Sequence, residues 1–97
     1  MFTSKERSNL RAMAQNIKPV TQVGKSGISD ALVQSLSQAL EARELIKISV
    51  LNNVDDDARE IAENLADALK AEVVAVIGKK VILYRKSSRK DIDHIVF

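Results

Sequence analysis

The 97-residue chain contains no cysteine, no tryptophan, one proline (Pro19), three glycines, one histidine (His94) and three aromatic residues, Phe2, Tyr84 and Phe97. Without thiols it can form no disulfide, iron–sulfur cluster or thiolate zinc site. A single histidine cannot build a His-rich metal cage. It also leaves any Ser–His nucleophilic pair resting on one residue near the C-terminus. No run of about 18 apolar residues is present, so no membrane-spanning helix is expected. The start, Met1-Phe2-Thr3-Ser4-Lys5-Glu6, lacks the apolar stretch of a secretory signal, and a cytoplasmic location is expected. What the chain does have is 45% apolar residues. A chain of this length buries roughly 60–70% of its unfolded surface, enough for one core without covalent staples. One domain over residues 1–97 is expected, with a core at about 4–86 and a tail at 87–97.

The formal charge is only +2, but it is segregated. Residues 1–25 hold Lys5, Arg7, Arg11, Lys18 and Lys25 against Glu6. Residues 55–72 hold Asp55, Asp56, Asp57, Glu60, Glu63, Asp67 and Glu72 against Arg59 and Lys70. Residues 79–90 hold Lys79, Lys80, Arg85, Lys86, Arg89 and Lys90 with no acid. Basic ends and an acidic middle suggest a molecule with two electrostatic faces.

The hydrophobic pattern predicts the order α-β-α-β-α-β-β. Thr3-x-x-Glu6 fits a capping box, and Leu10, Met13, Ala14 and Ile17 follow at helical spacing, predicting a helix over residues 4–15. Pro19 ends it, and residues 19–23 form a short β-prone segment. Ile28, Leu32, Leu36 and Leu40 then repeat every four residues, predicting a second helix to Ala42 capped by Ser29 or Ser26. Residues 45–51 alternate as a strand. Ala58, Ile61, Ala62, Leu65, Ala68 and Leu69 predict a third helix with an acidic outer stripe. Residues 73–77 are continuously apolar, as in a strand covered on both faces, and Gly78-Lys79-Lys80 turns into a last strand at residues 81–84. Helices between the first three strands favour parallel pairing, and the last two strands are close enough for a hairpin. The expected fold is α/β: a small mixed four-stranded sheet packed with helices.

The most informative segment is Gly24-Lys25-Ser26-Gly27, between a strand and a helix. Glycine lets backbone N–H groups approach an anion closely, helix N-termini favour negative charge, and Lys25 adds a cation. Gly24-Lys25-Ser26 matches the end of a phosphate-binding Walker loop, but the required first glycine is Pro19, so nucleotide hydrolysis is not expected. Asp55, Asp56 and Asp57 read as helix caps rather than a cation site.

Several ordered segments resemble the bacterial YhbY family, stand-alone CRM domains (chloroplast RNA splicing and ribosome maturation). They are Ile17-Lys18-Pro19-Val20, Val23-Gly24-Lys25-Ser26-Gly27-Ile28, Ala39-Leu40-Glu41, Glu44-Leu45-Ile46-Lys47-Ile48, and Ile77-Gly78-Lys79-Lys80-Val81-Ile82-Leu83-Tyr84-Arg85. The resemblance implies an RNA-binding domain similar in fold to the C-terminal domain of translation initiation factor three. It implies a GxxG loop likened to that of KH domains, and a role on ribosomal RNA in precursors of the large subunit. No cofactor, metal or catalytic activity is implied, and a monomer is expected.

With so few aromatics, an RRM-like stacking platform cannot be built, so RNA should be held through phosphates and shape. The expected contacts are Gly24, Lys25, Ser26 and Gly27, with Arg7, Arg11, Lys18, Lys79, Lys80, Arg85 and Lys86 extending the track. Two rivals belong to other classes: a module that binds ribosomal proteins, and a nucleotide-binding enzyme.

Overall fold

In the computed structural model, which describes residues 2–24, 27–51 and 57–97, the elements are α1 (Ser4–Ala14), β1 (Thr21–Val23), α2 (Asp30–Arg43), β2 (Leu45–Val50), α3 (Ala58–Leu69), β3 (Glu72–Ile77) and β4 (Lys80–Tyr84). Each helix starts where its local chemistry directs. Thr3 and Glu6 form the expected capping box at α1. Ser29, not Ser26, caps α2 by accepting from Leu32 N–H. Asp57 caps α3 by accepting from Glu60 N–H. These caps satisfy amides that the first helical turn leaves unpaired. Asp55 and Asp56 lie outside the described residues.

The sheet order is β1-β2-β4-β3. β1 pairs parallel with β2, as expected. β3 also runs parallel to β2 but does not pair with it, because β4 lies between them, antiparallel to both. The tight turn at Gly78, whose φ is +59°, folds β4 back beside β2. Val81 and Leu83 of β4 are thereby fully buried, and the less buried β3 becomes an edge with a bulge between Val73 and Ala75.

Alternation in β2 separates two cores. Ile46, Ile48 and Val50 face α2 and α3, joining Leu36, Leu40, Leu65, Val81 and Leu83. Leu45 faces the other way, with Leu10 and Ala14 of α1, Ile82 and Tyr84. The tail returns to this second layer, where Ile95 and Phe97 pack. Its three aromatic rings, from residues 2, 84 and 97, meet edge to face at 5.0–5.5 Å.

Candidate nucleic-acid interface

β1, β2 and β3 all end, and β4 begins, at one end of the sheet. The glycine loop leaves β1 there, and the Gly78-Lys79 turn lies there too. Consecutive β2-end amides join them: Val50 N–H donates to Lys79 C=O at 2.8 Å, and Leu51 N–H donates to Val23 C=O at 3.0 Å. Two strand spacings separate β1 from β4, about 10 Å. The loop and the second basic segment are therefore neighbours in space although Gly27 and Lys79 are 52 residues apart in sequence.

Lys25 and Ser26 lie outside the described residues; their two flanking glycines differ in kind. Gly27 has φ +73°, a left-handed conformation, and its N–H donates to Gly24 C=O at 2.9 Å. That amide closes the turn on itself, so it is not the free phosphate donor the sequence suggested. Gly24 has no such strain, and a Cβ placed there would make an ordinary 3.4 Å contact with Leu51 Cδ1. Gly27→Ala should cost about 1 kcal/mol through its positive φ. Gly24→Ala should melt close to wild type. Lower RNA affinity in that second variant alone would mark Gly24 as a point of backbone approach. Equal affinity would show that its glycine serves neither fold nor ligand.

On the α1 side of the sheet the helix covers only part of the surface. That side of the sheet carries Lys47 and Ser49 of β2, Lys80 and Ile82 of β4, and Gln22 of β1, paired in register with Ser49; Lys80 and Gln22 are exposed and Lys47 is half-buried, while Ser49 and Ile82 lie buried beneath them. Arg11 and Gln15 descend from α1. Arg11, Gln15, Lys47 and Lys80 line one depression of about 130 Å³ together with Ala14, Ile77 and Ile82, and no acid among the described residues borders it. Lys80 donates from its ammonium to Ser49 Oγ at 2.7 Å, which lays its stem across the sheet and leaves further N–H donors on the head. Gathering three cations without a counter-charge is unfavourable in isolation and favourable beside a polyanion.

The remaining candidate cations are distributed differently. Lys79 is exposed in the turn, and Lys18 is exposed before β1. Lys86 is exposed beyond the opposite end of β4, far from the loop. Arg7 is turned inward: its guanidinium donates to Val73 C=O at 2.5 Å and Val74 C=O at 2.8 Å, and it lies 5.5 Å from the centre of the Phe2 ring. Arg85 is more fully engaged, donating to Leu69 C=O at 2.9 Å, Ser37 C=O and Oγ at 3.0 Å each, and Glu41 Oε2 at 3.3 Å. Its side chain is 21% exposed, so its geometry is that of a brace between α2, α3 and β4. Tyr84 is buried among aromatics and offers no face for a base. Burial, followed by the nearby Glu44 carboxylate, pushes its hydroxyl pKa up.

Residues 2–85 match the model of the CRS1/YhbY (CRM) domain. The chain belongs to this family. It is 41% identical over 87 residues to the probable RNA-binding protein YqeI of Bacillus subtilis, covering 90% of this chain and 91% of that protein. The solution structure of the hypothetical protein SAV1595 from Staphylococcus aureus superposes with a TM-score of 0.78 at 43% identity, covering 94% and 95% of the two chains. The CRS2-associated factor 1 of Arabidopsis thaliana is 26% identical over 84 residues, which span 87% of this chain and 12% of that protein.

Two residues of this CRM domain carry no signal of their own in the sequence. Lys47 reads as the polar alternate of a strand, and only the half-open sheet makes it a neighbour of Lys80 and Arg11. Arg59 sits in an acidic segment, where it reads as a minor cation. Among the described residues, no group of acids and histidine is arranged to hold a metal, and no helix is long and apolar enough to cross a membrane.

Proposed function

We propose that this CRM domain binds RNA on the half-open face of its sheet, with Arg11, Lys47 and Lys80 receiving phosphates beside the glycine loop and Lys79. One observation carries the reading: three cations from α1, β2 and β4 converge on an acid-free depression at the sheet end where the loop emerges. Lys25 and Ser26, which lie outside the described residues, are proposed as further contacts from the sequence alone. Recognition rests on phosphates and RNA shape, since the aromatics are consumed in the core. Ribosomal RNA in large-subunit precursors is the proposed target, and the domain is proposed to act without catalysis.

Lys47→Ala and Lys80→Ala test the reading on protein-free ribosomal RNA fragments. Removing one cation from a phosphate should flatten the dependence of log K on log salt by about 0.7 on single strands or 0.9 on duplex. Circular dichroism and melting should stay near wild type, because Lys80 is exposed and Lys47 is only half-buried. Unchanged slopes in both variants would overturn the proposal, and ribosome association that survives nuclease treatment would support the protein-binding rival.

A further inference from the structure

The same arginine that borders the sheet-face depression also borders a second one. Arg7, Arg11 and Arg59 line a trough of about 480 Å³ together with residues 73–77 of β3. Among the described residues no acid borders this trough either. Arg7 and Arg11 come from the layer of α1, and Arg59 comes from the first turn of α3 in the opposite layer. The outer edge of the sheet is therefore bracketed by guanidinium groups from both sides. Arg7 is committed to the carbonyls of Val73 and Val74. Arg59 is exposed, and neither it nor Arg11 has an ion-pair partner among the described residues.

Resting on the proposed sheet-face binding, we infer that the bound RNA is a single strand that leaves the sheet face at Arg11, turns around the β3 edge and reaches Arg59. Arg11 makes the path continuous, because it borders both depressions. The path turns through a corner within one or two strand spacings, about 5–10 Å. Smooth bending of a duplex is already costly over 20–30 base pairs, so a duplex cannot follow such a corner. A single strand can track a positively charged groove around it. The contact at Arg59 is a guanidinium to phosphate, which requires no particular base. An acidic peptide added to the free β3 edge is the competing occupant, but Arg7 already blocks two of its carbonyls.

The test compares Arg59→Ala with Lys80→Ala on one RNA sequence, offered as a single strand and as a blunt duplex. On the single strand, Arg59→Ala should flatten the salt slope by about 0.7, as Lys80→Ala does. On the duplex, Arg59→Ala should leave the slope as in wild type. A single-strand slope that Lys80→Ala changes and Arg59→Ala does not would overturn this path and leave the sheet-face reading intact. Equal flattening on strand and duplex would overturn the single-strand assignment. If neither variant changes either slope, the sheet-face reading itself fails. An acidic peptide that binds wild type but not Arg59→Ala, with RNA binding unaffected, would replace RNA at the edge.

Discussion

Glu44→Ala is expected to destabilise the domain by about 3–5 kcal/mol, the largest loss from any single polar side chain here, because it strips a buried carboxylate from groups that remain behind. Glu44 is 1% exposed and stands at the C-cap of α2 with φ +67°. Its carboxylate accepts from Ser87 N–H at 2.7 Å and Ile95 N–H at 2.7 Å, and meets His94 Nδ1 at 2.6 Å. Its backbone holds both neighbours as well: its N–H donates to Leu40 C=O at 2.8 Å, and its C=O accepts from Arg85 N–H at 2.9 Å. Alanine keeps those backbone bonds but leaves two tail amides without an acceptor, each costing about 1–3 kcal/mol if it stays buried. The tail would then release Ile95 and Phe97 from the second core. For a domain of this size each kcal/mol lowers Tm by roughly 4–8 °C, so calorimetry should register a fall of more than about ten degrees. A fall of only a degree or two would mean that the tail is not held by this residue.

The same site sets a pH dependence with a definite sign. Burial raises the Glu44 pKa, but the hydrogen bonds from His94 and from the Ser87 and Ile95 amides outweigh it, and the net direction is downward from the ordinary 4.5. A folded-state pKa below the unfolded one adds stability that is complete above about pH 4.5 and is lost as pH falls through the folded value. Wild-type Tm should therefore drop on acidification below that point, and Glu44→Ala should show a shallower drop.

How much of this was legible in the sequence depended on the range of the interaction. The three helices were readable because Thr3 with Glu6, Ser29 and Asp57 act within their own first turns. The insertion of β4 between β2 and β3 was not, since the pairing of Leu45 with Tyr84 spans a large part of the chain and no local residue encodes it. The glycine loop was readable as a motif, whereas the fact that Gly27 spends its amide on Gly24 is a matter of backbone geometry. Arg7 and Arg85 read as free cations because the acceptors of Arg7 and two of those of Arg85 are main-chain carbonyls, which leave no mark in composition, and Ser37 and Glu41, which also hold Arg85, lie more than 40 residues away in sequence. Lys47 is illegible in the sequence for the converse reason: its meaning comes from Arg11 and Lys80, which lie on other elements. Of the C-terminal apolar residues, Ile95 and Phe97 join the second core with Phe2 and Tyr84, while Val96 stays exposed.

Arg85→Ala should separate a basic residue that builds the fold from one that binds RNA. It is expected to cost about 2–4 kcal/mol, because hydrogen bonds from a charged donor are worth roughly 1.5–3 kcal/mol each and partial exposure discounts them. The guanidinium satisfies Leu69 C=O at the last turn of α3, where carbonyls lack helical partners and a positive charge is favoured. It also reaches Ser37 C=O and Oγ, tying the middle of α2 to the end of β4. Its ion pair with Glu41 adds to the low pKa of that carboxylate, which hydrogen bonding from the Ser88 hydroxyl lowers most. Arg85→Lys should recover only part of the stability, since one ammonium cannot reach the carbonyls of Leu69 and Ser37 in a fork. At a temperature where Arg85→Ala remains folded, its salt slope for RNA should equal wild type. Lys80→Ala should do the reverse, keeping Tm and flattening the slope. If instead Arg85→Ala melts with wild type and its slope flattens as that of Lys80→Ala does, the guanidinium turns outward when RNA is present, and the basic track runs the full length of β4 to Lys86.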